Sequence, residues 1–271
     1  MFLFILLYIL SFPYSDEVSS NNLKNSDFTD DIINDCDIIY WDSVIRYNLG
    51  NDIIEIRING KSSDKYILIN LHENEVTSIN AAKEIIDNFG GYFIYISQSG
   101  ERNIKFTLDS IPYAFDPNRI FTREGIKKTM HNLGNFSLEA ENEVFKFANY
   151  LLDFLTKDSV CIIAVHNNYD GNYSAKSYYR KNKQDAKRVY INPSEDVDDF
   201  FFVVQERDFD FFKSQGYNVV LQDNENVNDD GSLSVYCGKN NIRYINVEVQ
   251  EGKLQTQYKM ILSAINYLSE K

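Results

Sequence analysis

Six short apolar runs limit what this chain can fold into more than any other feature. They fall at 53–58, 66–71, 92–97, 160–165, 217–221 and 243–249. Most are apolar at nearly every position rather than alternating, as strands are when helices cover both faces of their sheet. Amphipathic stretches lie between them. Residues 78–88 read as a helix with Thr77 or Ser78 as N-cap and Gly90-Gly91 as its stop. Residues 138–157 set Val144, Phe147, Ala148, Leu151 and Leu155 on one helical face, and Leu254, Tyr258, Ile261, Leu262, Ile265 and Leu268 repeat the pattern at the C-terminus. Strands alternating with helices predict an α/β fold: a single layered domain with a mixed, largely parallel sheet and helices on both faces. No internal repeat and no Pro/Gly/Ser linker interrupts 50–271, so the domain is expected over 46–271.

The N-terminus has a different character. Residues 2–10 are an unbroken apolar run, too short for a bilayer span of about 20 residues but of the length of a secretory h-region. A signal peptide over 1–15 is expected, then a flexible acidic leader over 16–45, which places the protein outside the cell or in the periplasm with no membrane span after signal removal. The chain carries 27 Lys plus Arg against 40 Asp plus Glu, a net charge of −13. Phosphate neutralisation needs a clustered basic surface, so nucleic acid is excluded as a partner. Cys36, Cys161 and Cys237 are too few and too scattered for a disulfide framework or a cysteine zinc site; Cys161 sits in an apolar run and reads as core. Asn135 and Asn172 open glycosylation sequons.

The chemistry-bearing residues cluster at strand ends. His72 follows the run 66–71 and has Glu75 three residues on. Imidazole and carboxylate so spaced can share a Zn²⁺, which in catalytic sites typically takes three protein ligands and keeps one open position. The same pattern is also an ordinary polar strand end followed by an acidic helical turn. His166 ends the run 160–165 and is followed by Asn167 and Asn168. Ligands in open α/β sheets bind at the carboxyl ends of strands, so two of the three histidines at that edge point to a site. His131 has no such context and reads as a surface residue. Asp116-Pro117-Asn118-Arg119 sets an amide beside a guanidinium that can grip a carboxylate bidentately, or is simply a turn with a solvated arginine. Glu248 stands among apolar residues of a late strand, where a carboxylate is costly unless it faces a polar cleft or, on an edge strand, solvent. The loop 167–180, with Tyr169, Tyr173, Tyr178 and Tyr179, is a candidate substrate rim. Asp198-Asp199 and Asp229-Asp230-Gly231 read as helix-entry and turn residues.

Taken in order, four segments resemble the zinc carboxypeptidase clan, especially its aspartoacylase and succinylglutamate desuccinylase branch. They are His72-x-x-Glu75, Asp116-Pro117-Asn118-Arg119-Ile120-Phe121, Val165-His166-Asn167 and Val247-Glu248-Val249, with Pro117 where the family has leucine. The resemblance spans about two-thirds of the chain. It implies that His72, Glu75 and His166 hold one Zn²⁺, that Glu248 is the general base and acid, and that Asn118 and Arg119 bind a substrate carboxylate. It also implies an arginine that polarises the scissile carbonyl, with Arg102 the candidate and Arg123 the alternative. The expected function is an exported zinc-dependent hydrolase that cuts an amide bond next to a carboxylate. Its substrate would be a peptide, as for a metallocarboxypeptidase, or an acyl-amino acid, as for a deacylase. The rival reading is a catalytically inactive secreted binding protein on the same scaffold.

Overall fold

The structure is a computed structural model that describes residues 40–61, 65–156, 160–179 and 182–269. The first strands, β1 (Tyr40–Leu49) and β2 (Asp52–Lys61), form a hairpin. Then come β3 (Tyr66–Asn70), α1 (Val76–Phe89), β4 (Gly91–Ser97), a second hairpin of β5 (Ile104–Leu108) and β6 (Ile111–Phe115), α2 (Arg123–Leu133) and α3 (Leu138–Leu155). The rest is β7 (Cys161–Asn168), β8 (Ala186–Tyr190), β9 (Phe200–Val203), α4 (Glu206–Ser214), β10 (Asn218–Gln222), α5 (Leu233–Lys239), β11 (Tyr244–Gln250) and α6 (Leu254–Ser269).

Among the described residues one mixed sheet has the order β1-β2-β4-β3-β7-β11-β9-β10-β8, with β5-β6 apart from it. The central strands β4, β3, β7 and β11 are parallel, and antiparallel pairs flank them on both sides. The two faces of β7 show how the layers form. Ile162 and Ala164 face a core built with Val144, Phe147 and Leu151 of α3, Ile126 of α2 and Leu233 of α5. Cys161, Ile163 and Val165 face the opposite core, with Ile85 of α1, Phe212 of α4 and Ile261 of α6. Period-two alternation in a strand with both faces covered gives an apolar residue at every step. A smaller cluster of Ala175, Tyr178, Phe200, Phe202 and Val220 fastens the loop after β7 to the sheet.

Every one of the six apolar runs is a strand, and all three amphipathic stretches are helices. The expected signal peptide, most of the leader and Cys36 lie outside the described residues. The leader boundary at 45 is corrected: β1 starts at Tyr40 and pairs along its whole length with β2. Helix α1 also starts earlier than expected. Glu75 precedes its first turn, while Thr77 Oγ1 accepts the Gly252 N–H instead of capping. Cys161 and Cys237 are both buried free thiols. No helix among the described residues is long and apolar enough to cross a membrane.

Candidate metal centre and its cavity

The parallel centre of the sheet brings the strand ends together. His72 lies just beyond β3, and the Glu75 N–H donates to the His72 carbonyl at 3.0 Å, so a tight turn folds the two side chains to one side. His166 is the sixth residue of β7, and Glu248 of β11 is its register partner. Asn118 and Arg119 occupy a short 3₁₀ turn, Pro117–Arg119, where Pro117 presets φ and Asp116 Oδ1 accepts the Asn118 N–H at 2.8 Å. Gly231 and Gly125 let the 229–232 loop cross beneath Arg119: at Gly231, φ is +77° and a Cβ would lie 2.4 Å from the Arg119 carbonyl. A side chain there would collide with the backbone of Arg119 and Gly125.

Three donor groups converge. His72 Nδ1 and His166 Nδ1 are 3.2 Å apart, and the Glu75 carboxylate is 2.9 Å from each. All three residues are at most 3% exposed. Two zinc-bound nitrogens at 2.0–2.1 Å in a tetrahedral shell would stand about 3.3 Å apart, so the donor spacing fits the ion. The protonation pattern fits as well. Asp116 Oδ1 lies 2.8 Å from His72 Nε2; an ionised carboxylate is acceptor only, so it keeps the proton on Nε2 and leaves the Nδ1 lone pair facing the cluster. His166 Nε2 is buried without a partner.

Electrostatics binds these groups tightly. Burial would raise the Glu75 pKa, but His72 and then His166 outweigh it and hold the carboxyl far below its ordinary range. Asp116 is depressed in the same way against burial, by His72 and by Arg102 and Arg119. Burial works against a charge on His72, yet Glu75 and Asp116 raise its pKa. For Glu248 burial dominates and raises the pKa, opposed by His166 and by the Asn246 amide, which donates to Oε1 at 3.0 Å.

A cavity of about 610 Å³ opens over the cluster, and His72, Glu75, His166, Glu248, Arg102, Asn118 and Arg119 all line it. Arg102 reaches Glu75 Oε1 at 2.8 Å and Asp116 Oδ2 at 3.5 Å. Arg123, the alternative, is elsewhere: it pairs with Glu141 at 3.0 Å and stacks on Phe145. Arg119 faces Asp230 at 3.6 Å; burial opposes its charge, but Asp230 and Asp116 raise its pKa. Asn118 Oδ1 accepts the Leu233 N–H at 3.0 Å, which anchors the start of α5 to the turn. Of the rim tyrosines, Tyr169, Tyr173 and Tyr178 line the cavity and Tyr179 does not. His131 is exposed and stacks on Phe136.

No protein-family model matches the sequence, and no curated protein matches it. Solved structures do resemble the fold. The product-bound ectoine utilization protein EutE (DoeB) from Ruegeria pomeroyi is 11% identical over 88% of this chain and 69% of its own, with a TM-score of 0.46. An aspartoacylase family protein from Mesorhizobium loti is 12% identical over 85% of this chain and 67% of its own, at 0.44. A protein from Shewanella denitrificans provisionally assigned as a metallopeptidase is 12% identical over 84% and 85%, also at 0.44.

Two groups escape the sequence reading. Asp116, read as a turn former, also orients His72. Glu73, read as part of an acidic helical turn, accepts the N–H groups of Gln98, Ser99 and Gly100 at 2.6–2.8 Å and the Ser97 hydroxyl. It thereby pins the loop that carries Arg102. The signal for Asp116 was available in principle, because a metal-binding imidazole usually gives its other N–H to a carboxylate. Nothing local marks Glu73.

Proposed function

We propose that the protein is an exported zinc-dependent hydrolase that cuts an amide bond next to a free carboxylate, of the metallocarboxypeptidase or N-acyl-amino-acid deacylase type. One observation carries this reading: His72 Nδ1, His166 Nδ1 and the Glu75 carboxylate meet within 3.2 Å, with the buried Glu248 carboxyl beside them in register. Zn²⁺ held by those three residues would supply Lewis-acid polarisation and acidify water. Glu248 has the position and the raised pKa to take a proton from the attacking water and return it to the amine nitrogen as the C–N bond breaks. Arg102 is placed to donate to the carbonyl oxygen as charge builds on it. Arg119 and Asn118 hold the substrate carboxylate, so they orient the bond rather than break it. A C-terminal peptide residue and an acylated amino acid offer the same bond and the same carboxylate. Export rests on the apolar run 2–10.

The test is metal content and turnover together. Purified protein should carry about one zinc per chain, lose hydrolysis of N-acyl amino acids or C-terminal peptides to a chelator, and regain it with zinc. A folded chain that takes up no zinc at neutral pH would overturn the reading.

A further inference from the structure

The two outer strands of the sheet are built differently. On one side β8 has five residues, and its pairing with β10 shifts register between Leu221 and Gln222. Short length and such irregularity blunt an edge against further pairing. On the other side β1 has ten residues and pairs with β2 without a shift from Tyr40 to Leu49. Leu49 and Asp52 flank a two-residue turn and so form a hydrogen-bonded pair. Such pairs alternate along the strand, so Asp42, Val44, Arg46 and Asn48 turn their N–H and C=O groups away from the sheet. Their side chains are exposed on one face. On the other face Tyr47 packs on Tyr150 of α3 with ring centroids 5.1 Å apart, and both rings stay half-buried.

A long regular edge is a template for another strand, and the charges on β1 select which one. Consider a second β1 laid antiparallel across a two-fold axis. Of the alignments that keep outward groups opposed, the one centred on Val44 sets Asp42 opposite the partner's Arg46 and Arg46 opposite the partner's Asp42. Centring on Asp42 or on Arg46 would set like charges against each other, so the same residues reject those registers. Arg46 is 71% exposed and meets Glu55 only at 3.4 Å, which leaves its guanidinium N–H groups to donate across the axis.

We propose that β1 is a dimerisation edge, on which a second copy of this chain pairs antiparallel about Val44 and joins two nine-stranded sheets into one. The interface is isologous, because each copy offers the same strand. No residue of β1 or β2 lines the large cavity, so the pairing leaves it open and is independent of the hydrolase reading.

An interface made by one strand pair lies at the small, reversible end of the range, so sedimentation equilibrium of the full chain should show monomer and dimer exchanging at micromolar concentrations. Asp42→Arg or Arg46→Asp alone puts like charges at both crossing points and should weaken self-association by about tenfold or more. Mixing those two variants restores opposite charges and should give a heterodimer. Both changes in one chain should return the wild-type constant. Far-UV circular dichroism checks that each variant is folded. Val44→Cys tests the register without touching a charge. Hydrogen-bonded partners on antiparallel strands lie about 5.5 Å apart at Cα, within disulfide range, so mild oxidation should link position 44 to position 44, as peptide mass spectrometry reads. A monomer at every concentration, a dimer indifferent to the charge changes, variants that fail to associate when mixed, or no link between the two positions 44 would each overturn the proposal.

Discussion

At one end of the cavity five side chains are joined directly to one another, while at the other end Gln222 and Asn246 are held through their amide nitrogens alone. His72, Glu75, His166, Asp116 and Arg102 form a closed set of contacts between 2.8 and 3.5 Å. Gln222 and Asn246 are also buried, and their oxygens, like His166 Nε2 in the first set, have no partner. The first end is interlocked side chain to side chain, so removing one member disturbs all the others. Gln222 at the second end bonds to Asn224 and the Ser234 carbonyl and to no member of the cluster, so a change there should leave the cluster intact.

The largest effect should come from breaking the closed set. His72→Ala or His166→Ala leaves two of three donors; elemental analysis should find zinc lost, and turnover should fall to background with the far-UV circular dichroism retained. Glu248→Gln should keep about one zinc per chain and lower kcat by about 10²–10⁴, the usual contribution of a positioned acid–base group. Loss of metal in that variant would mean that Glu248 belongs to the ligand set. Asp116→Asn removes the acceptor that orients His72, so competition with a chromogenic chelator should show zinc affinity down by about 10–100-fold. Full affinity in the variant would mean that the turn, and not the metal ligand, is what Asp116 serves.

The smallest effect should be at Glu73, which bonds to residues 97–100 and does not line the cavity. Glu73→Gln should lower kcat a few-fold through a loosened Arg102 loop, with zinc content unchanged. Its pH signature is specific. Burial would raise the Glu73 pKa, but the Ser97 hydroxyl and the N–H groups of Gln98, Gly100 and Ser99 outweigh it and hold it low. A depressed carboxylate pKa gives stability that is present above the unfolded value of about 4.3 and lost as pH falls through the folded value. Acid titration of thermal stability should therefore be shallower below about pH 4.3 in Glu73→Gln than in the wild type.

Much of the fold was legible because the determining signals are local. Short, mostly apolar runs gave β2, β3, β4, β7, β10 and β11, and one-sided helical faces gave α1, α3 and α6. The elements that went unread are those whose partners supply what their own pattern lacks. In β1, exposed and half-buried residues alternate. The β5-β6 hairpin leaves Ile111 exposed. Helices α2, α4 and α5 run 11, 9 and 7 residues, so each repeats its apolar face only a few times.

For the site, sequence alone determined which residues could do chemistry: His72, Glu75, His166 and Glu248 stand beside or within apolar strands, where burial makes a polar group expensive without a purpose. Tertiary structure decided which of them meet and what each lacks. It brought Asp116 to His72 across 44 residues and put Arg102, not Arg123, over the cluster. It also left the Gln222 and Asn246 oxygens unpartnered. Whether a buried group is satisfied depends on what other strands and loops bring within about 3 Å of it, and residue type and spacing along a chain do not carry that information.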